Sequence, residues 1–595
     1  MIFSTIVPAF NTFAVLRCTS FLHQFSRHVQ FLVDPYVTIS SVFIILIALP
    51  LGKLLEWILP KYRISAIGYT FSLNPGPFNI KEQSLIAIMA NVAVNGAYIT
   101  DVATAMHTIY GIKWPMGKIL LLGLPLQMIG FSFAGFLRQF LVWPSSMIWP
   151  GVLVRCTIIN AIHPKYRKKD MKHISRGRFF YLACLCSFVW YWVPGYLWTG
   201  LSVFNWVCWI APNNVVVNSL FGSISGFGMG LFTFDWVAVS SYLGSPLVIP
   251  VSLLQVATPI IHNTHNRMSV LGSAQHTWRV HNSYLDHLSH YVGYVYFISS
   301  LRLPDLYSLS NLAKNVWYSQ YMPVSVGIPF DNTGAQYNLS AVVNNNAFDQ
   351  EKYEQYSPMF LPITYIVTYG AIFAIYPSAL VHIFLWYRKD IIRQFRHGLK
   401  DQKDIHSRLM SKYPEVPHWW FLTLGIVSLV MGIIAIEVCD TKLPVWAFFF
   451  SLIFSMAFVL PFGILQAVTN QTFSPFILAE MFLGYVLPGR PLALMIFKIT
   501  GGNTGLEAIL YSSDQKFGHY MKIPPRLLFS AQVISTTISM ISAIVAQLWA
   551  MDNIPDICSP HQKDGFTCPN TNIYNTASII WGGIGPKRIF SPGAL

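Results

Sequence analysis

Long apolar runs, each about the length needed to cross a lipid bilayer, constrain this chain more than any other feature. Thr38–Pro60, Lys118–Trp143 and Leu527–Ala550 are three such runs. A helix rises about 1.5 Å per residue, so roughly 20 apolar residues span a hydrocarbon core of about 30 Å. Within lipid the backbone must satisfy its own hydrogen bonds, which favours helices. The runs therefore predict an all-α, polytopic integral membrane helical bundle.

The charged residues agree with a membrane protein and also orient it. Of 595 residues, 54% are hydrophobic and 11% are charged, whereas soluble domains carry about 25% charged residues. The formal net charge is +15, but the basic residues cluster: His163–Arg178 holds seven Lys or Arg against one Asp, and Arg388–Pro417 holds eight against four acids. Such clusters are typical of cytoplasmic loops, and they do not indicate a nucleic-acid partner.

Further apolar runs complete the predicted set of membrane spans. Ser84–Met106 carries Asn91, Asn95 and Asp101, which predicts a polar stripe facing the interior of the bundle. Phe179–Gly200 contains Pro194-Gly195, where we expect a kink. The other predicted spans are Ile148–Ile162, Pro358–Tyr387, His418–Val438 and Leu443–Val468.

Two bent segments interrupt the apolar runs, one in each half of the chain. Asn74–Pro77 (NPGP) precedes the pair Lys81 and Glu82, and Pro488–Pro491 (PGRP) follows another apolar run. Proline lacks a backbone donor and glycine permits unusual φ values, so neither segment continues a helix. Broken or re-entrant helices with ionisable residues mark binding sites in many carriers. The alternative for the first bend is a plain loop whose next helix is capped by Glu82.

The number of crossings predicts how the second bent segment is arranged. Arg388–Pro417 and Lys516–Arg526 are both basic, and we expect both on the cytoplasmic side. An even number of crossings must therefore separate them. His418–Val438 and Leu443–Val468 account for two, so Phe473–Leu510 must enter the membrane and return.

The loops contain a histidine-rich tract and two candidate modification sites. Residues 258–300 hold six His at irregular spacing with no Cys partners, so we expect no metal site there. Asn338 begins a glycosylation sequon, which requires an external loop. Cys558 and Cys568 lie in a polar loop and can form a disulfide if that loop is outside the cell.

These features divide the chain into four segments. We expect a degenerate N-terminal segment (1–37), a first transmembrane half (38–257) and a His-rich, polar insert or loop on the extracellular side (258–357). The second transmembrane half (358–595) is expected to be C-terminally incomplete, because the sequence stops soon after an apolar stretch.

Eight short motifs, in order along the chain, point to one family. On these stretches the sequence resembles the oligopeptide transporter family, in the fungal form of its peptide-transporter branch. The motifs are NPGPFNIKEQ (Asn74–Gln83), WPSSMIWP (Trp143–Pro150), FDWVAVSSYLGSPL (Phe234–Leu247), FDNTGAQYN (Phe330–Asn338), DIHSRLMSKYPEVPHWW (Asp404–Trp420), YVLPGRPLALMIFK (Tyr485–Lys498), DQKFGHYMKIPPR (Asp514–Arg526) and WGGIGPKRIF (Trp581–Phe590).

The resemblance implies a multi-pass transporter of the plasma membrane. Its expected partners are small peptides, protons and the lipid bilayer. The expected mechanism is proton-coupled symport by alternating access, without a cofactor. The resemblance implies no particular oligomeric state. Some relatives carry glutathione and a related branch carries metal chelates, so these substrates remain alternatives. The sequence contains no Ser/His/Asp order, HExxH motif or phosphate-binding loop, and we do not expect an enzyme.

The chain departs from the family pattern in four places. The first helix is altered across Leu16–Leu32, Gln83 stands where relatives usually have His, and residues 258–317 replace an expected apolar helix. The chain also ends before the last expected helices. A non-functional, truncated remnant of a transporter is therefore a further alternative.

A peptide carrier needs groups for an amine, a carboxylate and a peptide backbone. The resemblance implies that acidic residues bind the amine or protons, with Glu480 and Asp101 favoured because both lie in apolar helices, and that bent backbone at Asn74 and Gly76 faces the substrate. The alternative for each carboxylate is an ion pair within the bundle. The acidic candidates are Glu82, Asp101, Asp235, Glu437, Glu480 and Glu507, and the candidates for the peptide carboxylate are Lys81, Arg490 and Lys498.

Overall fold

A computed structural model gives the fold of most of the predicted spans. The His-rich tract, Asn74, Gly76 and Asp235 lie outside the described residues. The structure describes residues 32, 41–58, 60, 63–66, 69–72, 77–94, 98–108, 111–163, 176–202, 204–222, 226, 234, 314–324, 329–344, 347–397, 405–470, 472–559, 562–564 and 566–589.

The first half of the described chain is helical apart from one short hairpin. Strands β1 (Arg63–Ala66) and β2 (Tyr69–Ser72) pair antiparallel, with Arg63 opposite Ser72. The helices are α1 (Ser41–Ile58), α2 (Ile80–Val94), α3 (Ile99–Thr108), α4 (Met116–Leu141), α5 (Pro150–Ile162), α6 (Arg176–Trp192), α7 (Val207–Ile210) and α8 (Val215–Phe221).

A short connecting region and the second half follow. The connecting region contains 3₁₀ turns at Val316–Tyr321 and Leu339–Val342, strands β3 (Val343–Asn344) and β4 (Ala347–Phe348), and α9 (Gln350–Tyr356). The second half contains α10 (Ile363–Trp386), α11 (Arg388–His397), α12 (Ile405–Met410), α13 (His418–Val438), α14 (Val445–Thr469), α15 (Phe476–Val486), α16 (Pro491–Lys498), α17 (Thr504–Met521), α18 (Pro525–Asn553), α19 (Pro569–Ser578) and α20 (Pro586–Ile589).

The all-α membrane fold predicted from the apolar runs is confirmed. In the described part of the chain, seven helices are long and apolar enough to cross a membrane: α1, α4, the stretch Arg178–Leu197, α10, α13, α14 and α18. The expected kink at Pro194 is a π-helical turn, Val193–Leu197, which continues α6. Proline inside a helix removes one backbone hydrogen bond, and a π turn accommodates that loss.

Two predicted segments are arranged differently in the structure. Ser84–Met106 is divided into α2, which ends at Val94, and α3, which begins at Ile99. The basic stretch from Lys516, expected as a cytoplasmic loop, instead forms the end of α17, and Asp514 and Lys516 are buried.

The bundle has two distinguishable ends. The first, which we call the basic end, carries α11 and the segment Ile405–Pro417, which includes α12. At this end Arg526 donates a hydrogen bond from Nε to the Glu415 carbonyl (3.3 Å). This places the two basic segments at one end, as the count of crossings predicts. The second, the disulfide end, carries the Cys558–Cys568 disulfide and the Lys113–Asp552 ion pair.

Helix α4 packs at the centre of the bundle. It contacts α13 most extensively and also packs against α17 and α18. A side chain at Gly135 of α4 would place its Cβ 2.0 Å from the Phe421 ring of α13. Small residues permit this close approach between helices, which is the main way in which helices pack in lipid.

Candidate functional site

The second predicted bend forms a true interruption between two helices. Helix α15 ends at Val486, Gly489 takes a left-handed conformation with φ of 81°, and α16 begins at Pro491. Glycine adopts this conformation without steric cost, and proline suits the first position of a helix. The two short helices therefore form the broken pair that the sequence predicts.

Two π-helical turns lie next to this broken pair. Ile499–Asn503 joins α16 to α17, and Ile579–Ile584 follows α19. The second turn packs tightly on α15, because a Cβ at Gly484 would lie 2.3 Å from the Trp581 carbonyl oxygen. The backbone of Arg490 also donates to the Gly582 carbonyl at 3.0 Å. Such turns often occur at functional sites.

A buried ion pair joins the two helices of the broken pair. Lys498 Nζ lies 2.5 Å from Glu480 Oε1, and the two residues are 9% and 1% exposed. Charged residues at membrane depth are costly and usually serve substrate or ion pathways. Two of the residues favoured by the sequence are therefore brought together.

Aromatic side chains surround this ion pair. Lys498 Nζ lies 4.4 Å from the centroid of the Tyr574 ring. Tyr365 and Tyr369 share a hydrogen bond of 2.9 Å between their hydroxyls, and Trp581 Nε1 donates to Tyr369 Oη at 3.4 Å. The Glu480 carboxylate interacts electrostatically with Tyr365, Tyr369 and Tyr574. We call these six residues the paired-charge site; its members are Tyr365, Tyr369, Glu480, Lys498, Tyr574 and Trp581.

The first half of the chain reaches this site through α3. Asp101, in the first turn of α3, interacts electrostatically with Tyr574. The ring of Tyr98 lies 6.1 Å from that of Tyr574 and 6.3 Å from that of Phe476. Both halves therefore border the paired-charge site, and they meet at Tyr574, which contacts Tyr98 and Lys498.

The other sequence candidates lie elsewhere. Lys81 donates to Tyr413 Oη at 2.8 Å at the basic end, and Glu82 accepts from the Asn79 backbone at 3.1 Å. The latter contact belongs to a reciprocal cap, since Asn79 Oδ1 accepts from the Glu82 backbone. The remaining described candidates are Glu437, exposed on α13; Glu507, buried on α17; and Arg490, exposed with its guanidinium 3.4 Å from the Lys442 carbonyl oxygen.

A second buried charged group was not among the site residues predicted from the sequence. Asp514 on α17 is fully buried and accepts from Arg155 Nη1 at 3.1 Å and from Asn91 Nδ2 at 2.9 Å. It thereby links α17 to α5 and α2. The basic residues that follow Asp514 in the sequence indicated a cytoplasmic segment and not a buried helix. The polar stripe predicted from Asn91 was the sequence signal that could have pointed to this buried group.

The unusual Gln83 is buried and has partners. Its Nε2 donates to the Ile45 carbonyl at 2.9 Å, and its Oε1 contacts His163 Nε2. Gln83 thus joins α2 to α1 and to the end of α5. This departure from the family pattern leaves the local packing satisfied.

The predicted modification sites lie in loops. Asn338 is exposed, beside a loop in which Asp331 accepts hydrogen bonds from the hydroxyl of Thr333 (2.6 Å) and the backbone of Ala335 (3.0 Å). These hydrogen bonds hold the pKa of Asp331 below its ordinary value. Cys558 and Cys568 form a disulfide. Within the described ranges, no cluster of three His, Cys, Asp or Glu side chains could hold a metal ion.

Comparisons with known proteins agree on one family. A family model described as "OPT oligopeptide transporter protein" matches residues 29–257 and 305–595. The unmatched interval lies within the segment where the sequence departs from the family pattern.

Individual relatives match along nearly the whole chain. The sequence is 36% identical over 99% of its length to the "Sexual differentiation process protein isp4" of Schizosaccharomyces pombe, covering 68% of that protein. It is 36% identical over 97% of its length to "Glutathione transporter 1" of the same yeast, covering 64%. It is 35% identical over 97% of its length to "Oligopeptide transporter 1" of Saccharomyces cerevisiae, covering 68%. The chain thus spans about two-thirds of the length of these relatives.

Proposed function

Because this chain belongs to the oligopeptide transporter family, we propose that it carries short peptides across a membrane and binds them at the paired-charge site. The observation that carries the proposal is the buried Glu480–Lys498 ion pair, located where α15 and α16 are interrupted. The related proteins are transporters rather than enzymes. The residues around this pair accordingly have a binding role.

The chemistry of a peptide matches this pair of charges. A short peptide in water carries a cationic amine at one end and an anionic carboxylate at the other. Separating Glu480 from Lys498 without a ligand would leave two uncompensated buried charges, which is costly. A zwitterionic peptide can replace both contacts at once, with its amine at Glu480 and its carboxylate at Lys498. Peptides with both termini free are therefore the proposed substrate class.

The aromatic surroundings suit the peptide between its two ends. Tyr365, Tyr369 and Tyr574 offer hydroxyls that can donate to or accept from a peptide backbone. Their rings provide apolar surface for varied side chains. A site built this way reads the main chain and termini, so it tolerates mixed sequences.

We also propose proton-coupled symport by alternating access at the plasma membrane. Asp101 and Glu480 come from different halves of the chain, which meet where Tyr574 contacts Tyr98 and Lys498, so movement of one half against the other would change the surroundings of both carboxylates. A carboxylate that is repeatedly exposed and buried can bind and release a proton. Family membership supports uptake at the plasma membrane.

Glutathione is the second candidate substrate. One relative, 36% identical to this chain, is named "Glutathione transporter 1". Glutathione also carries a free amine and terminal carboxylates, so it fits the same pair of charges. Uptake of a labelled tetrapeptide, measured at increasing glutathione concentrations, separates the two substrates. If glutathione is the preferred substrate, a low concentration of it should abolish tetrapeptide uptake.

Growth on a tetrapeptide tests the proposal. A host that lacks its own peptide uptake is given a tetrapeptide as its only source of a required amino acid. We expect the wild-type chain to restore growth and Glu480→Gln or Lys498→Met to abolish it. The matched control is Glu437→Gln, which removes an exposed carboxylate on α13. Equal growth with all four proteins would refute the assignment, and no growth with the wild type would refute peptide transport by this chain.

A further inference from the structure

A small cavity at the basic end lies apart from the paired-charge site. Its volume is about 50 Å³, and it lies between α4, α13, α17, α18 and the segment Ile405–Pro417. Most of its lining is apolar or aromatic. The polar side chains that line it are Arg138, Glu415, Gln515, His519 and Gln532.

Arg138 is buried at this cavity, and its guanidinium has N–H donors that form no hydrogen bond with the described residues. The residue is 6% exposed, and its Nη2 donates to the Val416 carbonyl at 2.7 Å. Its Nη1 lies 3.7 Å from Glu415 Oε2, beyond hydrogen-bond distance, and its Nε has no hydrogen-bond partner among the described residues. A guanidinium has five N–H donors in a planar fork. Arg138 therefore has unused capacity for a planar acceptor.

A second unpartnered group lines the same cavity. Gln532 is fully buried, and its Oε1 has no hydrogen-bond partner among the described residues. Buried polar groups are seldom left unsatisfied, so the unpartnered Nε of Arg138 indicates an acceptor at this cavity, whereas Gln532 Oε1, itself an acceptor, needs a donor such as water. The walls include Trp143 and Phe421, whose ring centroids lie 5.3 and 5.2 Å from the Arg138 guanidinium carbon.

Glu415 shows which chemistry suits this guanidinium. Its side chain is 38% exposed, and it presents a carboxylate to Arg138 from the rim of the cavity. A carboxylate is the planar partner that arginine binds with two parallel hydrogen bonds. Glu415 can turn towards water without burying its charge, and this would leave Arg138 to another carboxylate.

We propose that this cavity is a second substrate subsite, in which Arg138 binds the C-terminal carboxylate of a peptide at the basic end by displacing Glu415. This inference rests on the proposed peptide transport. Arg138 is the only cation that lines the cavity among the described residues, so the subsite reads the terminus alone.

The displacement would also loosen the segment that covers the cavity. Ile405–Pro417 is held at three further places: Tyr413 by Lys81 of α2, the Glu415 carbonyl by Arg526 of α18, and His406 by Lys522 after α17. Both halves of the chain thus hold this segment. A peptide carboxylate on Arg138 removes one of its contacts, which couples arrival of the substrate to opening of this end.

The subsite is tested by inhibition from the basic end. Inside-out vesicles carrying the protein are loaded with labelled tetrapeptide, and its transport is measured while unlabelled tetrapeptide, or the same peptide as its C-terminal amide, is added outside. We expect the free acid to inhibit at a concentration about tenfold lower than the amide, since a charge-assisted pair is lost with the amide. Acetate at the same concentration should not inhibit.

Variants separate the subsite from general damage. Arg138→Gln should reduce the difference between acid and amide to the part that Lys498 contributes, and Glu415→Gln, which removes the competing carboxylate, should strengthen inhibition by the acid about threefold. Arg388→Gln is the matched control, because it removes a cation of the basic end for which the described residues show no contact with the cavity or with residues 405–417. We expect it to retain the wild-type ratio.

Three results would overturn the inference. The first is an acid-to-amide ratio in Arg138→Gln equal to that of the wild type. The second is an acid-to-amide ratio in Glu415→Gln equal to that of the wild type. Because the Glu415 side chain is exposed, misfolding would not explain that result. The third is inhibition by acetate equal to that by the peptide. Transport of tetrapeptide with any of these results refutes the subsite alone, whereas no transport by the wild type refutes the proposed function as well.

Discussion

At the scale of single residues, the pairing of Glu480 with Lys498 is the central feature. The sequence favoured Glu480 because it lies in an apolar helix, where charges are rare, and named Lys498 as one candidate for the peptide carboxylate. It could not show that they form a pair, because they lie on opposite sides of the bend at Gly489. The position of that bend in space, rather than any local pattern, sets the distance between them.

The ion pair predicts a non-additive effect on stability. Glu480→Gln or Lys498→Met alone leaves one buried charge uncompensated and should lower the free energy of unfolding by about 3–5 kcal/mol. The double variant removes both charges and should be more stable than either single variant. Thermal unfolding of the purified proteins in detergent measures this. A double variant whose loss equals the sum of the two single losses would contradict the pairing.

Asp331 predicts a pH effect in the loop that carries Asn338. Hydrogen bonds from Thr333 and Ala335 lower the pKa of Asp331, so the folded loop binds its proton less readily than the unfolded loop. The stabilisation is therefore complete above the ordinary carboxyl pKa and is lost as the pH falls through the lowered value. Hydrogen-exchange protection of residues 329–344, measured relative to the intrinsic exchange rate at each pH, should fall at acidic pH, and Asp331→Asn should show similarly low protection at neutral pH. A loop that exchanges equally in both proteins would contradict this.

At the scale of elements, the sequence predicted where helices break better than what surrounds each break. Proline and glycine act locally, so the end of α15 and the start of α16 could be placed from Pro488–Pro491. The C-terminal end of α17 was not predicted as a buried helix, because its basic residues are typical of cytoplasmic segments. Lys516 is buried and donates hydrogen bonds to the carbonyls of Val142 and Pro144, at 2.8 and 2.9 Å, which come from a distant part of the chain.

The contact between α15 and the π turn at Ile579–Ile584 predicts a steric effect. Gly484→Ala would place a Cβ 2.3 Å from the Trp581 backbone oxygen, and backbone cannot yield as a flexible side chain can. We expect a loss of about 1–3 kcal/mol in unfolding free energy, together with weaker peptide binding. Gly370→Ala on α10 is the control, because no atom lies within 4 Å of its added Cβ. Equal melting temperatures for the two variants would show that α15 does not pack this way.

At the scale of the whole molecule, hydropathy and charge predicted the architecture. The long apolar runs correspond to the candidate spanning helices. The basic charge of Arg388–Pro417 and of the segment that contains Arg526 predicted that both lie at the same end. The sequence could not predict the cavity at Arg138, because α4 and Ile405–Pro417 meet only in the folded bundle. The cytoplasmic location of the basic end and the external location of the disulfide end stay predictions.

Binding of peptides with one blocked terminus tests most directly whether the paired-charge site reads peptide ends. Affinities of the purified wild type and Glu480→Gln are measured for a free tetrapeptide and for its N-acetyl form. We expect Glu480→Gln to weaken binding of the free peptide at least tenfold and not to weaken binding of the N-acetyl peptide, because that peptide has no amine for Glu480. An equal loss of affinity for both peptides would contradict the role of Glu480 as the partner of the peptide amine.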